Sequence, residues 1–314
     1  MNRPHQFDRA LIPLAAQRIA SHVRQTPLLD CVVNGINCQF KLEFLQISGT
    51  FKARGAFNCL LSGSPEQHQR GVVAASGGNH GIAVAYAAKA LGLAAHIFVP
   101  QTVAQAKRDR LQALAATIHP IGEQYAQALQ ASEQFAQRQQ MQVAHAYDQI
   151  ETVAGQGTVA AEWETQWRQN RPDTVLVAVG GGGLIGGIAA WFDNRVKVVA
   201  VEPVSCPSLH QALQAGQPVD VAVGGIAADS LGAKQVGTLM FPIAQRAVAN
   251  AVLVSDDAIR AAQQYLWREL RIATEPGGAT ALAALLSRAY VPAAGERIGV
   301  LLCGANVDPA SLAA

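Results

Sequence analysis

In the stretch LQISGTFKARGAFNCL (residues 45–60), Lys52 follows a Ser-Gly turn and opens an apolar helical run. A lysine so placed is either an ordinary solvated charge or an amine held at the floor of a cleft. In the second setting burial disfavours the ammonium, lowers its pKa and makes the amine a nucleophile or a base. Three further stretches bear on the choice. VAVGGGGLIGGIAAW (177–191) sets Gly180, Gly181, Gly182 and Gly183 between a strand-like apolar run and a helical one. Amides without Cβ atoms beside them can converge on an anion, the helix dipole adds attraction, and phosphate is the natural guest. A merely flexible turn has no use for four glycines, whose freedom costs entropy on folding. AASGGNHGIAVAYAA (74–88) delivers Ser76, Gly77, Gly78, Asn79 and His80 to a helix start. These groups suit a carboxylate, and Ser76 and Asn79 equally suit plain helix capping. LLCGANVD (301–308) puts Cys303 at the carboxyl end of a strand, where a cysteine taken alone reads as a small hydrophobe.

One ligand would occupy all of these features: it needs a phosphate, a polar ring and a carbonyl that reacts with an amine. Pyridoxal phosphate has the three, and Lys52 can form its Schiff base. A nicotinamide dinucleotide is the rival. The glycine run contains G-x-G-x-x-G spacings, and Glu202, ending VKVVAVE, stands about where the ribose-binding acid belongs. That oxidoreductase reading leaves Lys52 without a task.

Elements able to hold such groups recur along the chain. From residue 72 onward strand-length apolar runs alternate with helical patterns: VVAAS (72–76), GIAVAYAAKALG (81–92), AHIFVP (95–100), AQAKRDRLQALAA (104–116), TIHPIG (117–122) and EQYAQALQASEQFAQRQQ (123–140). MQVAHAY (141–147), TVLVAVG (174–180), VKVVAVE (196–202) and IGVLLCG (298–304) continue the strands. Strands apolar throughout belong to parallel sheets covered on both faces, so the expected class is α/β with open, mostly parallel sheets. Such sheets bind ligands beyond the carboxyl ends of their strands, where the three turns lie. Ser255, followed by Asp256 and Asp257, marks a helix start.

Half of the 314 residues are hydrophobic and 15% are charged, which suits a large core or an oligomer with a broad apolar interface; a homodimer is expected. A net charge of +2 without like-charge blocks gives no support to nucleic-acid or membrane-surface binding. The N-terminal twenty residues carry charges and proline where a signal peptide needs an apolar run. Five scattered cysteines without a C-x-x-C pair point to neither a disulfide framework nor zinc, and a reducing cytoplasm is the expected home.

The chain resembles the threonine/serine dehydratase and serine racemase group of pyridoxal-phosphate enzymes, which share the tryptophan-synthase-β-like fold (fold type II). The likeness runs from QTPLL (25–29) to CGANVD (303–308). Its landmarks keep the family's order: SGTFKARGA, SGGNHG, AGQGTVAAE (154–162), GGGGLIGG, AADSLGA (227–233), EPGGA (275–279) and CGANVD. The resemblance implies Lys52 as the Schiff-base lysine, Phe51 against the cofactor ring and Asn79 on its phenolic oxygen. It also implies Gly180 to Gly183, with Leu184, around the phosphate, and Glu275 and Cys303 at the ring. Cys303 falls where the family usually has Ser or Thr facing the pyridine nitrogen. Ser76 to His80 would grip the carboxylate of an amino-acid substrate. The implied domains are a large one from 1–70 and 149–314 and a small mobile one from 71–148. The implied activity is loss of ammonia from an L-β-hydroxy amino acid such as threonine, serine or 3-hydroxyaspartate.

Departures narrow the expectation. Serine racemases carry a serine at the position of Gly77, as acid/base on the far face of Cα, so racemisation is disfavoured. Some relatives bind a cation through a glutamate, matched by Glu202, and an aspartate, replaced here by Ser208. A cysteine-synthase-like β-replacement enzyme would show T-S-G-N-T-G in place of SGGNHG. Few residues follow CGANVD, so no C-terminal regulatory domain is expected.

Overall fold

Two sheets organise the computed structural model, which describes residues 7–167 and 170–308. The strands are β1 (Leu28–Val33), β2 (Ile36–Lys41), β3 (Val72–Ala75), β4 (Ala95–Val99), β5 (Thr117–Pro120) and β6 (Gln142–Val143). They continue with β7 (Thr174–Ala178), β8 (Lys197–Pro203), β9 (Asn250–Val254) and β10 (Ile298–Leu301). One sheet has the order β1-β2-β10-β7-β8-β9, the other β5-β4-β3-β6. Only β1 and β2 pair antiparallel among the named strands. Residues 72–143 thus supply the whole four-stranded sheet, and the chain on either side of them supplies the six-stranded one. The architecture is the expected α/β class, and β3, β7 and β10 are buried along their whole length.

The helical expectations are realised with small shifts, as Asn79–Leu91, Gln105–Ala113 and Tyr125–Gln139. Ser255 caps Asp256–Leu270, its side chain accepting from the Ala258 amide at 3.2 Å. MQVAHAY yields only two strand residues. His145 Nδ1 accepts from the amides of Tyr147 and Asp148 (3.3 and 2.9 Å), and this turn leads the chain into the helix Ile150–Gln166. The β1–β2 hairpin was not expected. It closes on Asn34 (φ 49°) and Gly35 (φ 81°), the left-handed pair that a two-residue turn of this hand requires.

Topology brings the turns together. β2, β10 and β7 lie side by side and parallel, so their carboxyl ends meet at one edge. From β2 the chain runs through two short 3₁₀ turns to Lys52; from β10 it enters Leu302 to Gly304; from β7 it enters the glycine run. Because β10 returns from the C-terminal segment to sit between β2 and β7, the sheet's order reverses there, which is where open α/β sheets hold ligands. Below this edge a buried ion network anchors the helix Lys52–Leu61. Arg54 meets Glu43 at 2.5 Å and Glu162 at 2.9 Å, and Lys41 meets Glu162 at 2.5 Å. Its value is positional, since buried pairs add little net stability over apolar packing. No helix among the described residues is long and apolar enough to cross a membrane.

Candidate active site

Lys52 opens its helix at the C-terminal edge of the larger sheet. Two contacts hold the chain there: the Phe51 amide donates to the Cys303 carbonyl at 3.1 Å, and Thr50 bridges to Gly304. Its Nζ donates to the Ala146 carbonyl at 2.7 Å and lies 5.2 Å from the centre of the Phe51 ring. No carboxylate among the described residues forms an ion pair with it. Burial therefore dominates and lowers its pKa from 10.5 to about 8, with Glu275 opposing the shift.

The glycine run leaves β7 and starts the helix Gly183–Phe192. Its outer side is crowded: an added Cβ at Gly181 would lie 2.3 Å from the Tyr147 ring, and at Gly183 2.9 Å from the Tyr147 backbone. At Gly180 it would lie 3.0 Å from Leu231 Cα, and Gly182 has φ +89°, a conformation that favours glycine. The amides of the first helical turn have no partners within the helix, so Gly183 and Leu184 add theirs to the run. Leu184 is buried; its side chain packs in the core and only its backbone can serve a ligand.

On the facing side, β3 delivers the loop 76–80. Ser76 Oγ accepts from the Gly78 amide at 3.2 Å. Gly77 sits under Val103, whose Cγ2 would be 2.6 Å from an added Cβ. Asn79 reaches across: its Nδ2 donates to Glu275 Oε1 at 2.7 Å, and its Oδ1 accepts from Asn306 Nδ2 at 2.6 Å. His80 ends the loop expected to receive a substrate carboxylate, but its side chain turns away from the loop. Its ring is buried and directed at the Ala144 carbonyl, 2.8 Å from Nε2, and burial together with Lys52 pushes its pKa down to about 3. A neutral imidazole there steadies the end of β6, and only the backbone of residue 80 remains for a ligand.

Cys303 Sγ lies 3.5 Å from the Gly277 carbonyl, and burial beside Glu275 pushes its thiol pKa far up, so it stays protonated. Glu275 stands just before the helix Pro276–Leu286 with its side chain turned to Asn79 and not to the helix amides; burial raises its pKa from 4.5 to about 7, with Asn79 opposing. Glu202 lies elsewhere. Its two oxygens accept from the amides of Leu209 (2.8 Å) and His210 (2.7 Å), and one also from Ser208 Oγ (3.1 Å). It caps the helix Ser208–Ala215, and both of its oxygens are engaged by that helix. No cluster of three or more His, Cys, Asp or Glu suited to a metal occurs among the described residues.

Three residues near the site were not singled out from sequence: Tyr147, Asn306 and Asp229, which pairs with Lys107 beside Gly78. All three lie inside quoted stretches, but none carries a type-specific signal there. The assembled set fits pyridoxal phosphate. It offers backbone amides at a helix start for the phosphate, an amine of lowered pKa and a thiol that stays neutral. The buried hydroxyls of Ser48 and Thr50, in the turn that precedes Lys52, have no hydrogen-bond partner among the described residues.

Comparison with known proteins agrees. The chain is 37% identical over 303 residues to a phenylserine dehydratase from Ralstonia pickettii, covering 94% of this chain and 92% of that one. It is 37% identical over 311 residues to an L-threonine ammonia-lyase from Geobacter sulfurreducens, covering 95% and 75%. The structure of maize serine racemase superposes with a TM-score of 0.91 at 31% identity, covering 98% and 96%. Such neighbours are fold type II pyridoxal-phosphate enzymes, and their cofactor is the one the site fits. With a family model for pyridoxal-phosphate-dependent enzymes matching residues 19–304, the chain belongs to that family.

Proposed function

We propose that the protein is a dehydratase that converts an L-β-hydroxy amino acid to a 2-oxo acid and ammonia. The bound cofactor would withdraw electrons from the substrate Cα and so acidify its proton. Lys52, which would hold the cofactor, is the base placed to take that proton, its lowered pKa suiting the role at neutral pH. The same amine then returns a proton to the departing β-hydroxyl. Asn79 would hold the ring oxygen, the Gly180–Gly183 run and Leu184 would hold the phosphate through their amides, and Phe51 would cover the ring. Cys303 places no negative charge at the ring nitrogen, which weakens the electron sink and favours expulsion of the β-group over prolonged carbanion chemistry. Ser76, Gly77, Gly78 and Asn79 receive the substrate carboxylate. Residues 71–148 form the smaller domain, which closes on the remainder.

The observation that favours elimination over racemisation is Gly77 under Val103. Where racemases carry a serine this chain has no hydroxyl, and a valine methyl fills the place in which a side chain would begin. The test is a panel of L-threonine, L-serine, L-threo-3-phenylserine and L-threo-3-hydroxyaspartate, scored for 2-oxo acid, ammonia and D-isomer. Equal release of oxo acid and ammonia from at least one substrate is expected, with D-isomer below about one part in a hundred. D-isomer as the main product, or no oxo acid from any of the four, would overturn the assignment.

A further inference from the structure

The polarity of the Asn79 amide is set by a chain of hydrogen bonds that starts at a backbone carbonyl. Ser48 lies in the left-handed region (φ 65°), unusual for a residue with a side chain, and Gly49 follows at φ 80°. Non-glycine residues held there store strain that clusters at functional sites. This turn aims the Ser48 carbonyl at Asn306 Nδ2, 3.2 Å away, and Arg110 from the small-sheet side donates to the same oxygen at 3.3 Å. Gly49 also makes room, since a Cβ there would lie 2.6 Å from Asn306 Oδ1.

A backbone carbonyl only accepts, so the Asn306 atom facing it must be the nitrogen. That nitrogen's second hydrogen points at Asn79, so the Asn79 atom facing it must be the oxygen, at 2.6 Å. The Asn79 nitrogen then faces Glu275 Oε1 at 2.7 Å. One Nδ2 hydrogen is thereby engaged and one is left for the cleft. We infer that Asn306 is a positioning residue for the cofactor: reading the Ser48 carbonyl, it holds Asn79 in the one amide orientation that offers the ring oxygen a donor. With the amide reversed, an oxygen lone pair would face the ring oxygen instead. Ser48 and Asn306 come from the large-sheet side and Asn79 from the small-sheet side, so the orientation is set only when the two are docked.

The inference rests on the cofactor and not on the substrate, so it is tested by pyridoxal phosphate binding alone. Apoenzyme is titrated with the cofactor, the visible band of the lysine-bound form is recorded, and apo thermal stability is measured in parallel. Asn306→Ala should bind about tenfold more weakly with a shifted band, the loss of one well-placed hydrogen bond, while its apo stability changes little. Asn306→Asp should weaken binding by about a hundredfold, because a carboxylate there can only accept and reverses Asn79. Combining Asn306→Asp with Glu275→Gln, whose amide can donate to a reversed Asn79, restores both Asn79 contacts but leaves the Ser48 carbonyl facing an acceptor, so apo stability should recover in part while affinity stays low. Wild-type affinity and band in both Asn306 variants would overturn the inference. So would recovery of affinity along with stability in the double variant, or an affinity loss in Asn306→Ala matched by an equal loss of apo stability.

Discussion

Installing the missing hydroxyl tests the physical basis of the proposed reaction choice. Gly77 has a φ outside the left-handed region, so serine meets no backbone objection. The obstacle is Val103: an added Cβ would stand 2.6 Å from its Cγ2, whereas ordinary contacts begin near 3.4 Å. The methyl must retreat by roughly 1 Å, and overpacking of this kind costs about 1–3 kcal/mol. Gly77→Ser alone should therefore be less stable, with its loop displaced and elimination slowed. Adding Val103→Ala removes the clashing methyl at a cost of about 1 kcal/mol for a half-buried side chain. A positioned general acid contributes about 10²–10⁴-fold. The double variant should accordingly form D-serine from L-serine at least about 10²-fold faster than wild type. Pyruvate release should stay within about threefold, because elimination uses Lys52 alone. The assay is chiral chromatography of D-serine beside enzymatic pyruvate determination, with cofactor loading checked for each protein. Wild type producing D-serine as fast as pyruvate would refute the reasoning, as would a folded, loaded double variant with no gain.

Three further expectations follow from the site. Lys52 has a native pKa of about 8 against 10.5 when unfolded, so cofactor attachment to apoenzyme should accelerate as pH rises through 8 and then level off. Between pH 8 and 10.5 the unfolded chain holds a proton that the native state lacks, so apo stability should rise across that window, and a flat profile in Lys52→Ala checks the assignment. Cys303→Ser should keep substantial dehydratase activity, whereas Cys303→Asp should divert flux to racemisation or transamination; an unchanged product ratio in the loaded Asp variant counts against the thiol's role. Glu202→Ala strips two helix amides of their acceptor and should lower unfolding free energy by about 2–4 kcal/mol in a denaturant titration. Wild-type activity should be indifferent to chelators, and a strong cation requirement would show that Glu202 does more than cap.

What the sequence discloses about this site depends on whether the information is carried by residue type. Four consecutive glycines exclude most alternatives, and apolar strands before each turn place them at sheet ends, so the parts of the site were legible. The Asn34-Gly35 hairpin was legible too, but β1 and β2 carry Asp30, Asn37 and Gln39 and do not read as apolar runs. The side-chain directions of His80 and Glu202 were not legible for another reason: type fixes what a side chain can do, but not which way it points. His80 turns to a carbonyl 64 residues away, and Glu202 is consumed by a short helix that follows its own strand. The Asn79–Asn306 contact spans 227 residues and joins two motifs that each look complete alone. Its polarity originates in the Ser48 carbonyl, a group that every residue possesses. No substitution pattern at position 48 would announce which oxygen orients the amide; only the left-handed turn that aims it does.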